Sequence, residues 1–386
     1  MAAIEGDHPE LRDAIARICA RFPGSYWQAQ EAAQAYPVEF VRALTEAGYL
    51  AVLIPEEFGG AGLPLRAASV ILEEIHASGC NAAACHAQMY TMGTLLRHGS
   101  AAQKQTYLPK IATGELRLQA FGVTEPTSGS DTTSLATTAV RDGDHYVVNG
   151  QKVWTSRALH SDLMLLLART TPLDRVARKT DGLSVFLVDM RVALQAGMEI
   201  RPLRAMINHN TTEVFLRDVR IPASSLIGEE GKGFRYILDG MNAERILIAS
   251  ECLGDGRWFT AKSTAYARER SVFGRPIGQN QGVQFPIARA YAELFAADLV
   301  VRRACELYDH GQPCGQEANL AKLLTSEAAW KAGEACLQTH GGFGYAVEFD
   351  VERKWRETRL YQIAPISTNL ILAYLGEHVL DLPRSY

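Results

Sequence analysis

The chain has 386 residues, 47% of them apolar and 21% charged, with a formal net charge of −4. That balance excludes a disordered chain and predicts two or three packed domains. It gives no electrostatic reason to bind nucleic acid, and no run approaches the roughly 20 apolar residues of a membrane span.

In chain order, Met1 to Glu10 carries acids and a proline where a secretory signal would place basic and then apolar residues. From Leu11 to about Arg117 apolar residues recur at helical spacing, as in Phe40–Val41–Leu44 and Val70–Ile71–Ile75. The Pro- and Gly-containing run Ile54 to Leu63 between them reads as a loop. Ala-rich helices are expected through Met89–Leu96 and Gln103–Ile111. Near Leu118 the texture changes to short β-rich runs, Tyr146–Val148, Leu163–Leu167, Ser184–Val188 and Glu213–Leu216, with turn signals at Asp142-Gly and Asn149-Gly. They predict a compact barrel or sandwich. After Gly233 helical spacing returns in five segments, Ile237–Leu253, Gly256–Arg270, Gln284–His310, Gln316–His340 and Ile366–Leu380, which suit a bundle. The expected domains are 1–117, helical; 118–228, β; and 229–386, helical. Seven scattered cysteines without a CxxC pair argue against a zinc site or disulfide framework, read as small buried hydrophobes and fit a reducing cytoplasm. No metal site is expected.

Four stretches carry chemistry. Phe121-Gly-Val-Thr-Glu-Pro-Thr-Ser-Gly-Ser-Asp131 offers hydroxyls and backbone N–H groups to a planar polar heterocycle, though an ordinary turn would use the same residues. In Asn149-Gly-Gln-Lys-Val-Trp-Thr-Ser156, an indole face stands beside two hydroxyls on a strand. Arg270-Ser-Val-Phe-Gly-Arg-Pro-Ile-Gly-Gln-Asn-Gln281 combines an arginine, an aromatic and an amide that suit a phosphate and an adenine edge. Gln338-Thr-His-Gly-Gly-Phe-Gly344 is a glycine-rich helix end, open either to a pyrophosphate or to a simple C-cap.

Taken in this order over almost the whole chain, these stretches resemble the acyl-CoA dehydrogenase family. The resemblance implies a helical–β–helical subunit that binds FAD, forms a homotetramer (a dimer of dimers), desaturates an acyl-CoA and passes electrons to an electron-transfer flavoprotein. It places the isoalloxazine against Phe121, Val123, Thr124, Gly129, Ser130, Trp154, Thr155 and Ser156. The ADP half falls to Arg270, Phe273, Gln281, Gln338, Gly341 and Gly342, largely across a subunit boundary.

One departure matters. Most of the family carries its catalytic glutamate near the C-terminus, where the matching stretch here is Arg356-Glu-Thr-Arg-Leu-Tyr-Gln-Ile-Ala-Pro-Ile-Ser-Thr-Asn369, with Pro365 at the base position. Ser367 and Asn369 still match residues expected near the flavin. A minority, including isovaleryl-CoA dehydrogenase, place the base on the first long helix after the β domain. Leu238-Asp-Gly-Met-Asn-Ala-Glu-Arg245 puts Glu244 there, to take the α-proton while flavin N5 accepts the β-hydride. Proline cannot donate a hydrogen bond, so the oxyanion N–H would come from Ile366 or Ala364. Asn242, Arg245 and Ser130 are expected at the CoA moiety. The partly polar segment Ala84 to Met92 suggests a short, branched or functionalised acyl group, although Met89, Met92 and His86 also suit ordinary packing. Two rival readings remain: an oxygen-using flavin monooxygenase or oxidase on the same fold, and a flavin-binding subunit without catalysis.

Overall fold

The computed structural model describes residues 7–384. Its elements run helical, strand-rich, helical, as expected. Helices α1 (Pro9–Cys19), α2 (Gly24–Ala33), α3 (Val38–Glu46), α4 (Leu65–Ala77), α5 (Ala87–His98) and α6 (Ala101–Thr113) come first. Strands β1 (Leu118–Gly122), β2 (Thr138–Asp142), β3 (His145–Ser156), β4 (Leu163–Arg169), β5 (Leu183–Asp189), β6 (Met198–Pro202), β7 (Thr211–Pro222) and β8 (Leu226–Ile227) follow, with one short helix, α7 (Met190–Ala193), after β5. The C-terminal part holds α8 (Gly233–Glu269), the hairpin β9 (Ser271–Val272) and β10 (Arg275–Pro276), α9 (Gln281–Asp309), α10 (Gly315–His340), α11 (Val351–Arg359) and α12 (Thr368–Tyr374). Among the described residues no helix is long and apolar enough to cross a membrane. All seven cysteines are buried and none forms a disulfide, as read from their spacing.

Compactness cuts across the chain order. One unit comprises Gln34–Leu63 and Ala83–Met241; the other comprises Met1–Ala33, Pro64–Ala82 and Asn242–Tyr386. In the first, a mixed eight-stranded sheet has the order β6-β7-β3-β2-β4-β5-β8, with β1 parallel to β4. Strand parity decides what each face meets. Leu163, Leu165 and Leu167 of β4 join Leu183, Val185 and Leu187 of β5 against Met92 and Leu95 of α5 and Leu108 and Ile111 of α6. The alternate residues, Met164, Leu166, Phe186 and Val188, pack with Tyr146 and Val148 of β3 and Val214 and Leu216 of β7. The two halves of the sheet, joined at Thr138 and Arg169, therefore enclose one core, as in a barrel. Full burial of each such aliphatic side chain contributes roughly 1.5–3 kcal/mol. The start of α6 is written in its sequence: Ser100 Oγ accepts from the Gln103 N–H at 3.1 Å, and Gln103 Oε1 accepts from the Ser100 N–H at 2.9 Å.

The second unit corrects the helix count. The expected segments 237–253 and 256–270 form one 37-residue helix, α8, about 55 Å long at 1.5 Å per residue. Gly254 and Gly256 mark close approach instead of a break. A Cβ at 254 would fall 2.2 Å from the Glu73 carbonyl oxygen of α4, and one at 256 would fall 2.3 Å from Leu294 of α9. The helix expected over 366–380 is α12, continued by a wider turn at Leu375–Val379. Helix α11 has no counterpart in the expected set. Its sequence, VERKWRETR, has little apolar periodicity because its buried face includes Arg353, Lys354 and Glu357, which hold one another and Asp350 and Asp255 in ion pairs.

Candidate active site

In the first unit, the loop after β1 and the end of β3 are held together by one ion pair. Glu125, 5% exposed, accepts from Lys152 Nζ at 2.7 Å and from the Ala136 and Thr137 N–H groups at 2.6 and 2.9 Å. Lys152 Nζ also donates to the Val123 carbonyl at 3.1 Å, and the Val153 N–H donates to the Thr124 carbonyl at 2.9 Å. Burial pushes the Lys152 ammonium down to about 8, against the pull of Glu125. Burial works to raise the Glu125 carboxyl, but Lys152 and its hydrogen bonds outweigh it and hold it below the ordinary range. At neutral pH the pair is charged. Glu125 and Ser128 exchange backbone hydrogen bonds at 3.0 and 3.1 Å, closing a turn whose far side leaves Gly129 and Ser130 exposed and Phe121, Val123 and Thr124 half-buried.

The pairing of β3 with β7 slips between Lys152 and Thr155. Trp154 takes up that slip at φ 60° and stands 58% exposed between the buried Val153 and Thr155. Thr155 is fully buried and its Oγ1 has no hydrogen-bond partner. Ser156 is half-buried. A bulge that turns an indole face outward beside an unsatisfied hydroxyl is suited to a flat polar ring system.

The other unit carries the remaining expected residues. Phe273 is 99% exposed at φ 53°, at the tip of the β9–β10 hairpin. Arg270 sits 5.8 Å from the ring centre of Phe343, and Gln281 opens α9. Gln338 is exposed in the last turn of α10; Gly341 at φ 57° ends that helix. A side chain added at Gly341 or Gly342 would meet open space, so neither glycine is there for internal packing.

Glu244 lies on α8 and is 5% exposed. Beside it, Arg245 Nη1 donates to Asn242 Oδ1 at 2.7 Å, and burial lowers the Arg245 pKa against the attraction of Glu244. Lys322 of α10 is fully buried and within electrostatic range of Arg245 and Glu244. Burial pushes its ammonium down to about 8; Cys252 pulls it up, Arg245 pushes it down, and Glu244 pulls it up more weakly. Its Nζ donates to the Ile366 carbonyl, beside Pro365. The Ala364–Pro365 bond is cis. The Ala364 N–H is already committed to the Leu360 carbonyl at 2.9 Å, which removes one of the two expected oxyanion donors and leaves Ile366. Ser367 caps α12 by accepting from the Leu370 N–H at 3.3 Å, and Asn369 is exposed. Sequence reasoning missed Lys152 and Lys322. Only parity could have found Lys152, because it occupies an inward position of β3.

Family models match this chain in three consecutive pieces: the acyl-CoA dehydrogenase N-terminal domain over residues 5–115, the middle domain over 120–219 and the C-terminal domain over 231–379. The chain belongs to the acyl-CoA dehydrogenase family. It is 32% identical over 381 residues to the acyl-CoA dehydrogenase FadE12 of Mycobacterium tuberculosis, spanning 97% of this chain and 96% of that one. Over 355 residues it is 34% identical to the mitochondrial short-chain specific acyl-CoA dehydrogenase of Rattus norvegicus, spanning 91% of this chain and 84% of that one. A solved glutaryl-coenzyme A dehydrogenase–glutaryl-CoA complex superposes with TM-score 0.92 at 28% identity, over 100% of this chain and 98% of that one. This acyl-CoA dehydrogenase is thus a flavin-dependent oxidoreductase, and its cofactor is FAD. The outward Trp154, the unsatisfied Thr155 hydroxyl and the open backbone at Gly129, Gly341 and Gly342 fit that group.

Proposed function

We propose that this acyl-CoA dehydrogenase desaturates its thioester with Glu244 as the base that takes the α-proton. The observation that carries the reading is the burial of Glu244 on α8, beside Arg245 and Lys322, together with Pro365 at the position where most of the family has its glutamate. A carboxylate is required because a thioester α-proton is only weakly acidic, and a positioned base contributes roughly 10²–10⁴ in rate. The Ile366 N–H is assigned to polarise the thioester carbonyl, since Ala364 spends its own on Leu360. Lys322 holds the Ile366 carbonyl, in the peptide unit that follows, and so fixes the backbone on the far side of the Ile366 Cα.

FAD, when bound, supplies the hydride acceptor at N5. Phe121, Val123, Thr124, Gly129, Ser130, Trp154, Thr155, Ser156, Ser367 and Asn369 are assigned to its isoalloxazine. Arg270, Phe273, Gln281, Gln338, Gly341 and Gly342 take the ADP half, and Asn242, Arg245 and Ser130 take the CoA. The proposed assembly is a homotetramer, which gives the fully exposed Phe273 a second chain to reach. An electron-transfer flavoprotein is the proposed acceptor, and a reducing cytoplasm suits seven buried thiols outside any disulfide.

The test is anaerobic flavin bleaching by a panel of acyl-CoAs, in the wild type and in Glu244→Gln. Bleaching in the wild type that falls at least about 10²-fold in the variant is the expected result. Equal rates would move the base elsewhere. No bleaching by any thioester, with rapid air oxidation of chemically reduced flavin, would favour an oxygen-using enzyme.

A further inference from the structure

Arg157, the residue after Ser156, is 3% exposed, and among the described residues no carboxylate lies within ion-pair distance of it. Its backbone is left-handed, at φ 60°, a conformation that costs a non-glycine residue about 1 kcal/mol or more and that clusters at ligand sites. The side chain lies among the Ala83 carbonyl, to which Nη1 donates, His209 Nε2 at 3.5 Å from Nη1 and His86 Nε2 at 3.4 Å from Nη2. Arginine has no acceptor, so each imidazole can meet it only through a ring nitrogen that accepts. Burial, and after it Arg157 and His86, keeps His209 well below its ordinary pKa.

A guanidinium has five N–H donors, and three are used here. Nε is buried without any partner. The unused donors, Nε–H and one on Nη2, make the side-on fork that fits a carboxylate. A buried cation whose side-chain contacts are a carbonyl and two imidazoles lacks the counter-charge that offsets its desolvation.

We propose that Arg157, flanked by His86 and His209, is a subsite for a carboxylate at the far end of the acyl chain, so that the preferred substrates are thioesters of dicarboxylic acids. This rests on the acyl-CoA dehydrogenase reading above. Position supports it twice. Arg157 follows the strand end assigned to the isoalloxazine, and His86 opens α5, the helix whose partly polar start suggests a functionalised acyl group. The segment that supplies the third contact is fixed from its other side, where Tyr36 Oη donates to the Ala84 carbonyl at 2.9 Å.

The experiment pairs thioesters of equal chain length: glutaryl-CoA with valeryl-CoA, and adipyl-CoA with hexanoyl-CoA. Affinity for the flavin-loaded protein is measured by calorimetry, and anaerobic bleaching is followed separately. A charge-assisted hydrogen bond in a buried site predicts that the carboxylated member binds on the order of 10–100-fold tighter. Arg157→Gln should bring that ratio to near one, and Arg157→Lys should keep part of it. A wild-type ratio of one or below overturns the subsite, and this needs no variant to fold. Tighter binding of the carboxylated members without bleaching by any thioester keeps the subsite and removes the dehydrogenase reading. Bleaching by all members without preference does the reverse.

Discussion

Lys152 Nζ lies 2.7 Å from Glu125 Oε1, with both side chains out of solvent, and this contact joins two motifs that lie 27 residues apart in the chain. The acid of Thr-Glu-Pro is therefore not a ligand-facing residue. It fixes the loop that presents Gly129 and Ser130 relative to the strand end that presents Trp154.

Glu125→Gln leaves Lys152 charged and buried without its counter-ion, which costs about 3–5 kcal/mol. The loss should be seen in urea unfolding, accompanied by weaker FAD retention on gel filtration. Lys152→Met alone leaves a buried carboxylate and should cost a similar amount. The double variant should cost less than the sum, because neither charge is then left alone. Additive losses would mean that the pair does not couple the two segments.

Lys322 acts on both ends of the proposed chemistry, by a hydrogen bond to the Ile366 carbonyl and by a weaker electrostatic attraction to Glu244. Its positive charge favours the ionised form of Glu244, so Lys322→Met should raise the apparent pKa on the acid limb of flavin bleaching. The native ammonium, held near 8, is lost as pH rises through that value, so an alkaline limb near 8 should be present in the wild type and absent from Lys322→Met. Lys322→Arg should restore the acid limb. A merely structural lysine would lower the rate at every pH and leave both limbs in place.

Gly254→Ala and Gly256→Ala should part company, although both glycines lie within α8. Alanine gains about 1 kcal/mol in helix propensity at either position. At 254 the new methyl meets a backbone oxygen at 2.2 Å, which cannot yield without moving α4. At 256 it meets the end of the Leu294 side chain at 2.3 Å, which has other rotamers. Thermal unfolding should show Gly254→Ala clearly destabilised, by about 1–3 kcal/mol, and Gly256→Ala less so. Equal effects would imply that α4 and α8 adjust freely.

The strand runs of β4 and β5 and the helical start were legible because each rests on neighbours in sequence. The burial of Glu244 was legible too, from the apolar run Ile246 to Ile248 after it. The unity of α8 was not, because a glycine required by a crossing helix looks, in one dimension, like a glycine that ends a helix. Helix α11 was hidden for a related reason: its buried face is ionic, and charge normally marks solvent. Lys152, Lys322 and Arg157 act through residues at least 27 positions away, a distance over which local pattern carries no information.

The network below α11 gives a prediction in acid. Asp255 is fully buried, accepts from His76 Nδ1 at 2.9 Å and Thr358 Oγ1 at 3.1 Å, and pairs closely with Lys354. Burial alone would raise its carboxyl, but Lys354 and His76 outweigh that and bring it down to about 2 from an ordinary 3.8. A carboxyl lowered by folding stabilises the native state above its unfolded pKa, and this contribution fades as pH falls from 3.8 through about 2. The shift corresponds to roughly 2 kcal/mol. Asp255→Asn leaves the Lys354 ammonium with the more distant Glu357 as its counter-ion and should cost about 3 kcal/mol near pH 6, the low end for a broken buried pair. Chemical denaturation of both proteins from pH 6 down to pH 2 should show the gap between them narrowing by about 2 kcal/mol, nearly all of it below pH 4. Other carboxylates titrate in the same range, but they do so in both proteins and cancel in the difference. A gap that stays constant to pH 2 would mean that Asp255 is not held as an anion by Lys354 and His76.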